Sequence, residues 1–220
     1  MIGDVLILTE HLPVYTLGRT SRVEHVGEGW ERGLINGIPV CPSDRGGSVT
    51  YHAPGQLIGY PILKLHTYCS GPKAYMALLE EVLIRALATF GLASVRRQGM
   101  PGVWVGTVGV SAGPPPAGKA DRKIAALGVR ISQGVTRHGF ALNVVNDLTP
   151  FSAIVPCGLA GWGVTSVARE TGTTVGLDQL SNAVTQAFQA VFGIALVEAE
   201  SVQQLLSRAE AQIVAAALEV

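Results

Sequence analysis

The sequence predicts a single domain of the α+β or mixed α/β class, in which helices flank a mixed β-sheet. Strand-like runs come first, one long helix follows, further strand-like runs come next, and helices close the chain. This order lacks the regular strand–helix alternation of a parallel βαβ sheet. The length of 220 residues suits one domain, and a hydrophobic content of 48% supports a large core.

Each strand is predicted from a short apolar run that glycine or proline bounds. The long helix is predicted after Pro72, because apolar residues recur at helical spacing from Leu78 to Phe90 and Gly91 marks an end. The other predicted elements are strands at 5–8, 14–17, 57–63, 103–105, 124–131 and 140–145, and helices at 177–192 and about 200–218.

The segment 111–121 is rich in proline and glycine, and it predicts a mobile loop that cannot pair regularly. A surface insertion is favoured over a functional lid for such a segment.

Charge and cysteine content exclude several classes of function. Lys plus Arg and Asp plus Glu number 16 each, so nucleic acid and anionic membranes are not expected as the main partners. Three cysteines without a CxxC pair do not make a disulfide framework or a metal site, and no two histidines have metal-ligand spacing. The apolar N-terminal run is too short for a signal peptide or a membrane span, so we expect a cytoplasmic protein with free thiols.

Cys157 lies between Pro156 and Gly158, an arrangement that is typical of a turn. Pro156 restrains the backbone before the thiol, and Gly158 leaves room for a ligand after it. A displayed thiol can act as a nucleophile, whereas most free cysteines are small buried hydrophobic residues. A neighbouring group that stabilises the thiolate would favour the nucleophile over the buried structural cysteine.

The segment 44–57 combines the sequence Arg45-Gly46-Gly47 with Tyr51 and His52. Two glycines let the backbone approach a ligand, and the arginine supplies a fixed positive charge. A β-hairpin with a glycine bend is the plain alternative, but the pattern favours a substrate-binding loop. It is not a phosphate-binding P-loop, because the GK[ST] ending is absent.

Lys123 and His138 each lie at or near the start of an apolar strand. Lys123 is either a solvated edge charge or an active-site cation, and only a nearby acid or nucleophile would decide. His138 could be a base, a hydrogen-bonding prop or a core histidine, and the last two are favoured.

Together these blocks resemble the octanoyl-[acyl-carrier-protein]:protein N-octanoyltransferase family, also called lipoate biosynthesis protein B. They occur in family order, cover most of residues 10–170 and are jointly very specific. The family's mixed α/β fold resembles that of the lipoate and biotin protein ligases. The blocks are EHLPVYTLGR at 10–19, RGGSVTYHAPGQLIGYPI at 45–62, GVWV at 102–105, KIAALGVRISQGVTRHGFALNV at 123–144 and PCGLAGWGVTS around 157.

The resemblance implies transfer of an octanoyl group from the phosphopantetheine of acyl-carrier protein to a lysine of a lipoyl domain. The implied acceptors are the lipoyl domains of 2-oxoacid dehydrogenase E2 subunits and the glycine cleavage H protein, and no further cofactor is implied. Cys157 matches the acyl-thioester nucleophile, and Lys123 matches the lysine that favours its thiolate form. The segments that match acyl-substrate contacts are Arg45, Gly46, Gly47, Ser48, Val49, Thr50, Tyr51, His52, Ala126, Leu127, Gly128, Gly139, Phe140 and Ala141.

Two departures from the family pattern stand out. Ala53 replaces a glycine in the turn after His52, which should reshape that turn slightly. Family members also carry a further strand and helix before the first block, so we expect the domain at 1–220 to lack them.

The acyl transfer that the resemblance implies leads to further expectations about individual residues. Backbone N–H groups of Leu127-Gly128 and of the chain around Cys157 are expected to stabilise the oxyanion. The tunnel walls are expected from Tyr51, Ala126, Leu127, Gly139 and Phe140, and docking of acidic partner domains from Arg45, Arg122, Arg130 and Arg137.

Three alternatives stay open. An ATP-dependent lipoate or biotin ligase would need no cysteine nucleophile, and a Cys–His hydrolase would use His138 or His52 as its base. A carrier-binding module without activity would need neither Cys157 nor Lys123.

Overall fold

Two β-sheets and a set of helices make up the described part of the chain, which in this computed structural model comprises residues 3–106, 121–159 and 161–198. The strands are β1 (Val5–Thr9), β2 (Val14–Leu17), β3 (Leu34–Ile35), β4 (Ile38–Pro42), β5 (Val49–His52), β6 (Gln56–Ile62), β7 (Val95–Arg97), β8 (Met100–Val105), β9 (Arg122–Ser132), β10 (Val135–Asn143) and β11 (Gly163–Val164). The helices are α1 (Leu65–Tyr68), α2 (Pro72–Ala88), α3 (Val167–Thr171) and α4 (Leu177–Phe192).

The larger sheet has the strand order β1-β6-β10-β9-β8-β7, and β11 pairs with the start of β9. The smaller sheet has the order β3-β4-β2-β5. Antiparallel pairs dominate, but β2–β4 and β9–β11 are parallel. The predicted mixed sheet flanked by helices is therefore confirmed.

The main core lies between the larger sheet and α2 and α4. Apolar residues at helical spacing, such as Leu79, Leu83 and Leu87 on α2, pack with Phe188 on α4. Burial of such side chains contributes about 1.5–3 kcal/mol each, so this layer fixes the sheet that carries the site.

The longer predicted elements agree with the structure. Helices begin at Pro72 and Leu177, and β2 has its predicted bounds. Strand β10 differs, because it begins at Val135 and runs through the polar Thr136-Arg137-His138 before its apolar part. The predicted helix at 200–218 and residues 111–120 of the predicted loop lie outside the described residues.

A second, smaller core lies on one face of the smaller sheet. It contains Tyr15, Ile35, Val49, Tyr51, Ala53, Phe151 and Ile154. Because side chains alternate along a strand, Val49 and Tyr51 of β5 enter this core while Thr50 and His52 point to the space between the sheets. Ala53, at the departure from the family turn, has its methyl group buried in the same core.

An irregularity in β9 turns Lys123 toward that space. Val103 of β8 pairs with Ala125, but the next residue, Trp104, pairs with Lys123, so Ile124 is an extra residue. Ile124 and Ala125 both lie in the main core. A β-bulge of this kind re-aims the side chains before it. Lys123 thereby shares the opposite face with Ala126.

Gly102 allows the two strands to come close at this bulge. Its φ is +128°, and a Cβ atom there would lie 2.6 Å from the carbonyl oxygen of Ala125 and 3.2 Å from Cε of Lys123. The stem of Lys123 therefore packs directly against the backbone of β8, where any other residue would displace it.

We predict that Gly102→Ala lowers the free energy of unfolding by about 3 kcal/mol, because backbone strain and steric overlap add. Gly99→Ala is the matched control, since Gly99 also has a positive φ of 75° but nothing within 4 Å of a Cβ atom. The control should lose only about 1 kcal/mol in urea unfolding. Equal losses for the two variants would show that the close approach at Gly102 is unimportant.

Candidate active site

A cavity of about 360 Å³ lies between the two sheets and brings most of the predicted site residues together. The predicted residues that line it are Arg45, Gly47, Ser48, Thr50, His52, Lys123, Ala126, Leu127, Gly128, Gly139, Phe140, Ala141 and Cys157. Of the remaining three, Val49 and Tyr51 belong to the second core. Gly46 instead donates its N–H to the carbonyl of Val129 at 3.0 Å, which joins the Arg-Gly-Gly segment to β9. Tyr51 is therefore not a wall of this cavity, because strand alternation directs it the other way.

Cys157 occupies a tight turn formed by Pro156–Gly158. Its φ of 57° and ψ of 14° are in the left-handed region, which is uncommon for a residue with a side chain. The N–H of Gly158 donates to Val155 O at 2.9 Å, and that of Leu159 donates to Pro156 O at 3.0 Å. Such strain persists only where the surroundings hold it, and it places the thiol at the cavity wall.

His25 packs against this turn. Its carbonyl accepts the N–H of Val155 at 2.9 Å, and its ring lies so close to Gly158 that a Cβ atom there would be 2.8 Å from Cε1. Its Nδ1 is 3.1 Å from Oγ of Ser48, a cavity residue. This role could not be predicted from the sequence, because no local pattern links residue 25 to residue 158.

Lys123 is held in the cavity wall with only 7% of its surface exposed. Its Nζ donates to the carbonyl oxygen of Pro101 at 3.0 Å and lies 4.7 Å from the centre of the Trp104 ring. Lys123 is therefore a buried cation and not a solvated edge charge. Within the described ranges no hydrogen bond joins it to Cys157, although both line the same cavity.

Arg45 is a fixed cation inside the cavity. Its Nη2 donates to the carbonyl of Thr16 at 2.7 Å, its Nε to Thr16 Oγ1 at 3.1 Å, and its Nη1 to Gly46 O at 3.0 Å. Burial lowers the pKa of Arg45, while the nearby Cys157 and Tyr60 oppose that shift. Because arginine stays protonated even so, the cavity keeps one permanent positive charge.

The expected docking role of Arg45 stays a prediction, since its side chain is only half-buried and is bonded to Thr16 and Gly46. The other three candidates are ion-paired. Arg122 pairs with Glu170 at 2.7 Å. Arg130 and Arg137, which are cross-strand partners, share Asp44 at 3.1 and 3.4 Å.

His52 belongs to a directed hydrogen-bond chain beneath the cavity. Its Nδ1 is 2.9 Å from Oε1 of Gln56, whose Nε2 donates to Asn143 Oδ1 at 2.8 Å. Its Nε2 is 3.1 Å from Oγ1 of Thr16, which also accepts from Arg45. Burial lowers the pKa of His52 to about 4, with Arg45 and His11 adding to the shift, so the ring is neutral at pH 7. Because the amide nitrogen of Gln56 is already a donor, His52 carries its proton on Nδ1.

Two further histidines line the cavity. Nε2 of His138 lies 2.5 Å from Oδ1 of Asp44, which fits the predicted role as a prop. His11 forms a short hydrogen bond with the hydroxyl of Tyr60. Burial raises the pKa of Tyr60, and Arg45 opposes the shift. No pattern in the sequence indicated the His11–Tyr60 pair, although both residues fall in the family blocks.

The described residues contain no group of three or more His, Cys, Asp or Glu that could hold a metal ion. Among the helices described, none is long and apolar enough to cross a membrane.

Comparisons with known proteins agree with this architecture. The family model for the lipoyl protein ligase A/B catalytic domain matches residues 1–189. An octanoyltransferase from Thermobifida fusca is 45% identical over 193 residues, which are 87% of this chain and 76% of that protein. One from Chloroflexus aggregans is 44% identical over 201 residues, 91% of this chain and 86% of that protein.

A solved structure supports the fold. A bi-partite lipoate protein ligase from Thermoplasma acidophilum superposes with a TM-score of 0.68 at 18% identity, covering 93% of this chain and 77% of that one. The structural likeness concerns the fold alone, whereas the matches in sequence extend through the cavity-lining segments. The chain therefore belongs to the lipoyl protein ligase A/B catalytic domain family and, within it, to the octanoyltransferases, as its motifs predicted.

Proposed function

We propose that this enzyme moves an octanoyl group from the phosphopantetheine thioester of acyl-carrier protein to a lysine of a lipoyl domain, through a thioester on Cys157. The proposed acceptors are lipoyl domains of 2-oxoacid dehydrogenase E2 subunits and the glycine cleavage H protein. One observation carries the proposal: Cys157 and Lys123 line one cavity whose floor is made of small and apolar residues. No resident cofactor is needed, because the acyl group arrives activated as a thioester.

The first half-reaction loads Cys157. Free cysteine thiols are only a few per cent thiolate at neutral pH, and a nearby ammonium raises that fraction. The thiolate attacks the thioester carbonyl, and collapse of the tetrahedral intermediate breaks the bond to the carrier sulfur. That sulfur takes a proton from Lys123, so the carrier leaves as a thiol and Lys123 becomes neutral.

The second half-reaction transfers the octanoyl group from Cys157 to the acceptor lysine. The acceptor lysine amine attacks the carbonyl of the acyl-Cys157 thioester and gives its extra proton to neutral Lys123. An amide bond forms and the bond to Sγ breaks. The thiolate and the ammonium are then both restored for the next cycle.

The position of Lys123 suits this double role. Pro101 O takes one of its three donors, which leaves two N–H groups for the cavity side. Catalytic hydrogen bonds are often long without substrate and tighten in the reacting complex. We therefore expect contact between Lys123 and Cys157 to form when the thioester is bound.

The oxyanion of each tetrahedral intermediate needs hydrogen-bond donors. Candidate backbone N–H groups lie on the loop around Cys157 and on strand β9. The N–H groups of Gly158 and Leu159 are used within the turn, so the N–H of Cys157 itself is the better donor on this loop. Leu127-Gly128 stays the expected second contributor, and its segment lines the cavity.

Chain selectivity follows from burial of the acyl tail. Ala126 and Ala141 face each other across β9 and β10, as do Gly128 and Gly139, so the sheet presents little side-chain bulk there. Each methylene buried adds about 0.8 kcal/mol, and an octanoyl tail gains roughly 5 kcal/mol. Ile58 and Phe140 supply apolar walls.

An ATP-dependent ligase is the first rival. Such an enzyme forms an acyl-adenylate and has no need of a thiol nucleophile. Two observations favour transfer without ATP. The backbone of Cys157 is held in the left-handed region at the cavity wall, and the relatives of this chain are octanoyltransferases.

A Cys–His hydrolase is the second rival. A base works best when its pKa is near the operating pH, and His52 is about three units too low. Its two ring nitrogens are also engaged by Gln56 and Thr16. Nε2 of His138 pairs with Asp44, as a prop would, which leaves only its Nδ1 for the role of base.

The acyl-enzyme gives the first prediction of this mechanism. Incubation with octanoyl-carrier protein in the absence of ATP should add one octanoyl mass to the wild type, seen by intact mass spectrometry. Cys157→Ser should lose the thioester adduct, whereas Cys69→Ser, a half-buried cysteine outside the cavity, should keep it. Strict dependence on ATP, or an unchanged adduct in Cys157→Ser, would refute the mechanism.

Lys123→Met should slow acylation of Cys157 by about 100-fold, because both thiolate stabilisation and proton delivery are lost. Alkylation of Cys157 by iodoacetamide at pH 7 should slow as well. Lys73→Met, at an exposed position on α2, is the control and should behave as wild type. An acylation rate within twofold of wild type in Lys123→Met would remove Lys123 from the mechanism.

Burial of His52 predicts a loss of stability in acid. The pKa of His52 is lowered in the folded state, so the unfolded chain binds the proton first and stability falls from about pH 6.5 to about pH 4. The shift is worth about 3 kcal/mol. His52→Gln should lack that part of the loss in urea unfolding, and the exposed His66→Gln should retain it. Identical pH profiles for His52→Gln and wild type would contradict the buried, neutral ring.

A further inference from the structure

A buried carboxylate lies on the side of β8 opposite the cavity. Glu80 of α2 is 8% exposed, and its Oε1 accepts the N–H of Gly102 at 3.0 Å. The same peptide group presents its carbonyl, that of Pro101, to the ammonium of Lys123 at 3.0 Å. One peptide therefore links a carboxylate on α2 to the cation in the cavity.

The arrangement is electrostatically ordered. The N–H end of the peptide dipole faces the negative charge and the C=O end faces the positive charge, so each hydrogen bond strengthens the other. The geometry is also rigid, because Gly102 is pressed against Ala125 and the Lys123 stem. A change at Glu80 is thus transmitted to Lys123 without any contact with substrate.

We propose that Glu80 is a positioning residue for Lys123. The Glu80 carboxylate holds the Pro101–Gly102 peptide in place and favours the charged form of the Lys123 ammonium. This inference rests on the proposed function, since it assigns Glu80 a part in the proton transfers of Lys123.

Among the described residues, Arg96 and Lys123 are the charged groups that act on Glu80. Arg96 of β7 lies 3.4 Å from it, and Lys123 of β9 faces it through the peptide. Burial raises the pKa of Glu80, while the Gly102 N–H, Arg96 and Lys123 oppose the shift. On its own helix, Glu81 competes for Arg96 at 2.5 Å.

Lys123 faces a second set of groups across the cavity. The titratable and charged groups that line the cavity with Lys123 are His11, Cys41, Arg45, His52, Tyr60, His138 and Cys157. Arg45 is permanently charged and His52 is neutral near pH 7, so neither changes charge in the range where acylation is measured.

Glu80→Gln provides the test, because the amide oxygen can still accept from Gly102 while the charge is lost. Removing a negative charge destabilises the ammonium and stabilises the thiolate. Both limbs of the pH profile of kcat/KM for Cys157 acylation should therefore move to lower pH, by roughly half to one unit. At a fixed pH on the falling basic limb, the acylation rate should drop about threefold to tenfold, the factor that such a shift implies.

Glu81→Gln is the matched control, since it removes the same charge from the next residue and from the same partner, Arg96. Its profile should coincide with wild type. Coincidence of the Glu80→Gln profile with wild type, in a folded variant, overturns the proposal.

Lys123→Met separates this proposal from the function it rests on. Slow acylation in Lys123→Met with a wild-type profile in Glu80→Gln removes only the positioning role. A normal adduct in both Lys123→Met and Cys157→Ser overturns the proposed function as well.

Should Glu80→Gln fail to fold, the wild-type protein decides by NMR. The amide resonance of Gly102 should titrate with the midpoint of the basic limb, because the peptide senses the charge on Lys123. The amide of Gly99, in the same β-hairpin, should not follow that midpoint. A Gly102 resonance that stays fixed through the basic limb overturns the proposal.

Discussion

The close approach of β8 and β9 at Gly102 is the constraint on which the candidate active-site cavity depends. Regular pairing would give Lys123 and Ala125 the same face and bury both in the main core. The extra residue, Ile124, lets Ala125 remain in that core while Lys123 turns to the cavity. The lysine side chain then needs the space that a side chain at position 102 would fill. The same irregularity in β9 therefore sets both the position of the Lys123 ammonium and the packing of the main core.

The cavity exists because two cores are kept apart. The helices hold the larger sheet and the second core holds the smaller one, so β5 can direct Thr50 and His52 between them. Polar groups in that space are costly unless they are paired. The chain from Asn143 through His52 to Arg45 satisfies them and fixes the single arginine charge near Cys157.

The long helices and most strands could be predicted from the sequence, because apolar periodicity is a local signal. Of the sixteen residues that the family blocks predicted as catalytic or substrate-binding, thirteen line the cavity, and their roles stay predictions. Prediction from the sequence failed where the outcome depends on contacts distant in the chain. Tyr51 was expected at the cavity, but its face is set by packing on Tyr15 and Phe151. His25 and Glu80 reach the site through residues 158 and 102, and no spacing in the sequence records such contacts.

Preorganisation connects these features to the chemistry. The left-handed backbone of Cys157, the proposed nucleophile, is intrinsically unfavourable by about 1–3 kcal/mol, and the His25 contacts with Val155 and Gly158 oppose its relaxation. Lys123 is restrained in the same way by Pro101 and Trp104. With both side chains restrained before substrate arrives, formation of the contact between them is the reorganisation that is left for the proposed reaction. If Cys157 and Lys123 act as proposed, the nucleophile and the proton carrier can be tuned independently, the thiol through the second core and the ammonium through α2.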